Sequence, residues 1–260
     1  MDDDTTFSPS EFCTTLRQIM QVANPTVVEN PGMLCLCGVE IDFFNRVVNT
    51  CKCGNQLTIK VHNDIQGILV QQCVRSGTHA TVRVNNMFEG SNPGCHKKAD
   101  VILEGTQAID VRVSSVGTQD INMSNVMQPD FIVNKGERQK MSQYTKVKDK
   151  GGFEVIPFVI DSQGHMGPSM KKIVSKLSRK HATVTDLPYQ IIHQYWSRKY
   201  SCRLHKSIAQ RVISKVESAR FFQLASKSGS EEVRGDRDEI LNSVAESLGG
   251  LSPRDVHSGW

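Results

Sequence analysis

The stretch ADVILEGTQAIDVRV, residues 99–113, restricts the fold more than any other part of this 260-residue chain. Two apolar runs alternate with the period of a β-strand on either side of Glu104, Gly105 and Thr106. They pair as an antiparallel hairpin in which Leu103 faces Gln107 and Asp100 faces Asp110. Because side chains alternate along a strand, Arg112 shares the face of the two aspartates, while Val101, Leu103, Ile109, Val111 and Val113 point to the other. Like charges directly opposed on a sheet repel each other. A divalent cation between them removes the conflict, and magnesium, or manganese in its place, suits the pair because it takes one or two carboxylates and fills its shell with water and phosphate. A solvated face that tolerates both acids is the other reading of the same residues.

The flanking sequence predicts an α/β domain, a mixed sheet flanked by helices. SPSEFCTTLRQIMQVANP sets Phe12, Leu16, Ile19, Met20 and Ala23 at helical spacing behind Ser10 as N-cap, and the helix ends before Pro25. VHNDIQGILVQQCVRSG carries Val61, Ile65, Ile68, Leu69 and Cys73 on one stripe that Gly77 terminates. ATVRVNN and FEVIPFVID read as strands, and Pro157 argues that the second lies at an edge or a bulge. KGERQKMSQYTKVKDKGG reads as a polar helix ending at its glycine pair; GPSMKKIVSKLSRKH, LPYQIIHQYWSRKY and HKSIAQRVISKVESARFFQLA read as three more helices. The expected organisation is an N-terminal helix with a cysteine-knuckle, zinc-ribbon-like module (1–60), a core with basic C-terminal helices (61–226) and a mobile polar tail (227–260).

A composition of 38% hydrophobic and 22% charged residues is that of a soluble globular chain. The start MDDD lacks the basic and apolar regions of a secretory signal, and no window is apolar enough for a membrane span. The expectation is an intracellular protein, nuclear or cytoplasmic and not secreted, without a membrane partner and with reduced cysteines. Charge is unevenly spread: eleven Lys or Arg and a single acid, Asp186, fall between His165 and Lys215. Lys171, Lys172, Lys176, Arg179, Lys180, Arg198, Lys199 and Arg203 form the basic footprint of a nucleic-acid surface or a solvated helix face, with Trp196 and Tyr200 as stacking or packing aromatics. Cationic amphipathic helices also meet acidic proteins, so an interaction domain is a third class.

Cys35, Cys37, Cys51 and Cys53 stand in two Cys-x-Cys-Gly knuckles that offer four thiolates to a structural zinc. The single-residue gap is shorter than such sites prefer. Either Cys53 or His62 completes the set, or the cysteines serve as small apolar core residues.

An acid ending one strand of a hairpin and a second acid on the next resembles the PD-(D/E)XK nucleases, with Asp100 and Asp110 matching the two acids and Arg112 standing in place of the family lysine. More closely, the motifs LCLCG and CKCG, KVHND, KKADV, AIDVRV, KMSQY and IPFVIDSQG, between Phe12 and Lys180, resemble in order the restriction-like endonuclease domain of early-branching, site-specific non-LTR retrotransposons. The resemblance implies a restriction-endonuclease-like fold and a metal-dependent DNA endonuclease that nicks a target strand. It implies magnesium at Asp100 and Asp110, catalytic help from Lys140 and Arg112, and nucleic-acid contacts near His62 and Tyr144, to which the basic segment adds Lys171, Lys172, Lys176, Arg179, Arg198 and Lys199 as DNA contacts by its charge. DNA, with RNA of the element, is the implied partner, and no small-molecule cofactor is implied. Gln143 replaces the family's second helical lysine, Ala99 its proline, and the histidine before the last cysteine is missing. The alternative is a catalytically inactive nucleic-acid-binding module on the same scaffold.

Overall fold

In a computed structural model the hairpin forms in the expected register. The structure describes residues 6–35, 37–44, 55–84, 99–114, 130–144 and 152–227. Strands β1 (Ala80–Val84), β2 (Ala99–Leu103), β3 (Gln107–Ser114) and β4 (Glu154–Asp161) form one sheet in the order β1-β2-β3-β4. Leu103 lies opposite Gln107 and Val101 opposite Ile109 in the antiparallel β2–β3 pair. The turn closes through Thr106 N donating to Leu103 O at 3.1 Å, with φ of 51° at Glu104 and 71° at Gly105. Positive φ at both central residues gives the turn a twist that matches the strands; glycine adopts it freely, glutamate at a cost. β1 pairs antiparallel with β2, whereas β4 runs parallel to β3 with Pro157 opposite Asp110. Pro157 therefore sits on an edge strand, where a missing donor is tolerated.

Among the described residues the helices are α1 (Pro9–Ile19), α2 (Pro25–Glu29), α3 (Asn55–Arg75), α4 (Phe131–Tyr144), α5 (Pro168–Thr185) and α6 (Tyr189–Lys227). None of them is long and apolar enough to cross a membrane. The odd-numbered face of the hairpin is the apolar one: Val101, Leu103, Ile109 and Val111 join Ile65, Leu69 and Cys73 of α3, Ile173, Val174 and Leu177 of α5, and Trp196, Tyr200 and Leu204 of α6 in one core. Each large side chain buried there contributes roughly 1.5–3 kcal/mol relative to exposure. The stripe predicted for α3 is thus the buried one. Gln72 serves the polar groups inside this core: its Nε2 donates to Val174 O at 3.1 Å and Ser178 Oγ at 3.2 Å, and its Oε1 accepts from Tyr200 Oη at 3.1 Å. Asp64 accepts from Arg203 Nη2 at 2.6 Å and Ser207 Oγ at 2.5 Å, fastening α3 to α6.

The chain divides into two units, one of Asn55–Ile208 with Met1–Phe7 and one of Ser8–Gly54 with Ala209–Trp260. In the second, Val27, Met33, Cys35 and Ile41 pack with Val212, Val216 and Ala219 of α6. The N-cap of α1 is Ser8 rather than Ser10: Glu11 N donates to Ser8 Oγ and Ser8 N to Glu11 Oε2 at 2.7 Å, a reciprocal capping box. Glu11 also accepts from Gln210 at 2.5 Å, so the buried side of α1 is Glu11, Thr14 and Thr15, while Phe12, Leu16, Ile19 and Met20 are exposed. The stripe expected to be buried on α1 is therefore its outer face.

Two further expectations change. The segments expected as two helices after Pro188 form the single helix α6, because Ser201, Cys202, Arg203 and Leu204 between them include neither glycine nor proline to break it. The polar helix before β4 starts earlier, at Phe131, and is described to Tyr144; residues 145–151, which lead to its expected glycine stop, and the tail from residue 228 onward lie outside the described residues.

The N-cap of helix α5 is Gly167, which has no side chain to cap the first turn. The cap comes from α4 instead: Glu137 Oε1 accepts from Ser169 N at 2.8 Å and Oε2 from Ser169 Oγ at 3.1 Å. A Cβ at position 167 would collide with that carboxylate. Glu137→Ala should cost about 1 kcal/mol, read as a lowered denaturant midpoint at unchanged slope. A second expectation concerns pH. Trp196 Nε1 donates to His181 Nδ1 at 2.9 Å, and burial, with the Arg75 cation adding, holds the His181 pKa below its ordinary 6.5. The unfolded chain then takes up the proton more readily, so stability falls as pH drops through and below 6.5. Denaturation followed by Trp196 fluorescence should show this loss, and His181→Gln should remove that part of it.

Candidate functional site

Carried one residue beyond its last paired position, the hairpin register sets Asp100 across from Asp110. The strands part at this point. Asp100 Oδ2 takes the Val111 N–H at 2.7 Å, so a side chain rather than a main-chain carbonyl satisfies that donor. The same oxygen lies 3.1 Å from His62 Nε2, and the Asp100 carbonyl accepts from Gln66 Nε2 at 2.7 Å. His62 and Gln66 are one turn apart on α3, and together they fix both the carboxylate and the backbone of Asp100.

Asp110 is held from α4. Lys140 Nζ lies 2.8 Å from Asp110 Oδ1. Gly136, Lys140 and Tyr144 recur at four-residue spacing, and Gly136 and Tyr144 are buried. Gly136 allows the helix to lie directly on β3 and β4: a Cβ there would come within 2.9 Å of both Ser114 Oγ and Val159 Cγ1 and 3.8 Å of Arg112 Nε. Arg112 is thus on the α4 side of β3, the side of Asp110, as the alternation of the strand requires.

Four ionisable groups therefore act on one another where β2 and β3 diverge. Burial pushes the Asp100 carboxyl up, but the His62 hydrogen bond and charge, the Val111 N–H and the Lys140 cation outweigh it and hold the pKa below its ordinary value. For Asp110 burial prevails over the Lys140 cation and over hydrogen bonds from Lys140 and Tyr144, and with the Asp100 charge adding, its pKa is raised. Burial alone would lower His62, yet its hydrogen bond and charge interaction with Asp100 raise it overall. Asp110 is 5% exposed, and its Oδ2 is buried with no hydrogen-bond partner among the described residues. An ionised oxygen in that position wants a cation. No group of three or more His, Cys, Asp or Glu among the described residues is gathered to hold a metal; Asp100 and Asp110 themselves offer two carboxylates. They fit a hard ion that draws most of its ligands from water and phosphate.

The other predicted residues are placed unevenly. His62 is at the site, in contact with Asp100 rather than presented outward. Tyr144 and Lys199, expected to meet DNA, are each 5% exposed: Tyr144 packs with Ala99, Ile102, Ala108 and Val155, and Lys199 lies over the rings of Tyr195 and Trp196. Trp196 and Tyr200 are packing residues in the core. Lys171, Lys172, Arg179 and Arg198 are exposed, and Lys176 is half-buried. Cys35 N donates to Val39 O at 2.8 Å and Gly38 N to Cys35 O at 2.7 Å, the tight turn of the first knuckle, with Cys35 buried and Cys37 exposed. Cys51 and Cys53 lie outside the described residues.

Compared with known proteins, the chain matches no family model and no curated protein. Gln66 and Gly136 are site residues that the sequence reading passed over. Each stands four residues from a predicted site residue, Gln66 after His62 and Gly136 before Lys140, which is the signal that would have found them. Gly136→Ala should lift α4 from the sheet, costing about 1–3 kcal/mol by overpacking and loosening the Lys140–Asp110 pair. Thermal unfolding measures the first effect; a Lys140→Ala change costing less stability in the Gly136→Ala background than in the native one measures the second.

Proposed function

We propose that the protein is a metal-dependent DNA endonuclease of the restriction-like, PD-(D/E)XK kind, of the sort carried by site-specific non-LTR retrotransposons, acting on DNA in the nucleus or cytoplasm. The observation that supports this reading best is the convergence of Asp100, Asp110 and Lys140 at the parting of β2 and β3, with one buried Asp110 oxygen left without a hydrogen-bond partner among the described residues. Asp100 and Asp110 would hold magnesium or manganese, which when bound supplies charge neutralisation at the phosphate and a more acidic water. The chain's own residues do the rest. Lys140, kept beside Asp110 by the close approach of α4, places a fixed positive charge where negative charge develops on the scissile phosphate. Arg112, on the same side of β3, adds a second cation that stays protonated throughout. His62 and Gln66 keep Asp100 from turning away as the substrate enters. Any zinc in the cysteine knuckle would be structural and separate from this chemistry.

A second reading, a nucleic-acid-binding module without catalysis on the same scaffold, is favoured by one observation: each aspartate already has a basic partner from within the protein, His62 for Asp100 and Lys140 for Asp110. Supercoiled plasmid incubated with magnesium or manganese separates the two. The endonuclease nicks it, and Asp110→Ala or Lys140→Ala lowers the rate by about 10²-fold or more, the usual loss for a group that stabilises transition-state charge. Plasmid retained by the protein yet intact at every metal concentration leaves only the binding module.

A further inference from the structure

The basic residues of α5 lie on one side of the helix, away from the core residues Ile173, Val174 and Leu177. Lys171, Lys172, Ser175, Lys176 and Arg179 line an open depression of about 630 Å³. Lys172, Lys176 and Arg179 recur at helical spacing, so their charges are distributed over about 10 Å of the axis. Two carboxylates partly neutralise this face. Glu104, at the tip of the β2–β3 turn, accepts from Lys176 Nζ at 3.0 Å and also from Lys180 Nζ, and Asp130 lies 3.5 Å from Lys171 Nζ. Lys172 and Arg179 are exposed, with Arg179 5.5 Å above the Tyr189 ring.

We propose that this α5 face grips the phosphodiester backbone of nucleic acid, and that Glu104 occupies part of it as an internal competitor that the backbone displaces from Lys176 and Lys180. The identity of the partner as nucleic acid rests on the proposed function; the place and manner of its binding do not depend on cleavage. Three features point to a repeating polyanion. The lining residues are four cations and a serine, none of them an aromatic or aliphatic residue of the kind on which protein interfaces centre. The charges form a row rather than converging on one point, which suits successive phosphates and not a single small anion. Glu104 already demonstrates, from the tip of the β2–β3 turn, that a carboxylate bridges two of the lysines.

The test is equilibrium binding of a fluorescent DNA duplex, and of the corresponding single strand, to the full chain in chelator, across a salt series. Lys172→Glu combined with Arg179→Glu should weaken binding at least tenfold at low salt. It should also reduce the slope of log K against log salt by about one for each residue changed. Arg220→Glu, an exposed charge on α6, matches the net-charge change of Lys172→Glu alone and should change affinity far less than that variant. Glu104→Gln, which removes the competing charge at constant shape, should tighten binding about threefold or more at low salt and lose that advantage as salt rises. Unfolding midpoints identify any variant that fails to fold, and Lys172→Glu alone, at an exposed position, then carries the test. Native affinity and slope in the charge-reversal variants would overturn the proposal. So would polyglutamate competing as well as DNA, which would make the partner an acidic protein, or inorganic phosphate competing at the same concentration of phosphate groups. Because these measurements need no metal, a chain that binds as described but never nicks plasmid overturns the nuclease alone, and one that nicks while the α5 variants bind normally overturns the grip alone.

Discussion

Burying a carboxylate is the constraint from which much of this domain's shape follows. Asp110 stands in the middle of β3 and is 5% exposed, on the face opposite the core residues Ile109 and Val111. A charge in that position is sustained only by a nearby opposite charge. Lys140 provides it, and Lys140 can do so only if α4 rests directly on the sheet, which in turn requires that position 136 have no side chain. From the same helix Glu137 completes the first turn of α5. One short amphipathic element thus neutralises the acid, closes one face of the sheet and starts the next helix.

Asp100 is treated differently, although the sequence makes the two aspartates look equivalent. Its carboxylate is drawn into the gap where the strands part, receiving a main-chain N–H from β3 and the imidazole of His62 from α3. One acid is consequently held below its ordinary pKa and the other above it. The difference lies in what surrounds each carboxyl: His62 and a main-chain N–H prevail at Asp100, burial at Asp110.

Much of this was legible in the residues. The alternation of ADVIL and QAIDVRV carries the register and the two faces of the hairpin, since a slip of one residue would have exposed every valine. The stripe from Val61 to Cys73 carries α3, and Pro157 marks the edge strand. What the residues hid has physical reasons. Ser8 and Ser10 are both competent caps, and only Glu11, three residues after Ser8, decides between them. The exposed stripe of α1 follows from Glu11 being held on the inner side by Gln210, a contact 199 residues away in sequence. Periodicity favoured breaking α6 in two, but a helix ends only where something ends it. Lys199 and Tyr144 show that a charged or polar side chain can be buried when aromatic rings or a carboxylate meet it, a partnership that no local pattern displays.

Pro157 has one more effect. The outer strand of a sheet normally offers a ladder of donors and acceptors to any extended chain that drifts past, including another copy of itself. A proline in the middle of β4 removes a rung from that ladder, at the position opposite Asp110. Growth of the sheet by stacking of further strands is discouraged on this rim, so the parallel edge nearest the acidic centre is protected from self-association while remaining in register with β3.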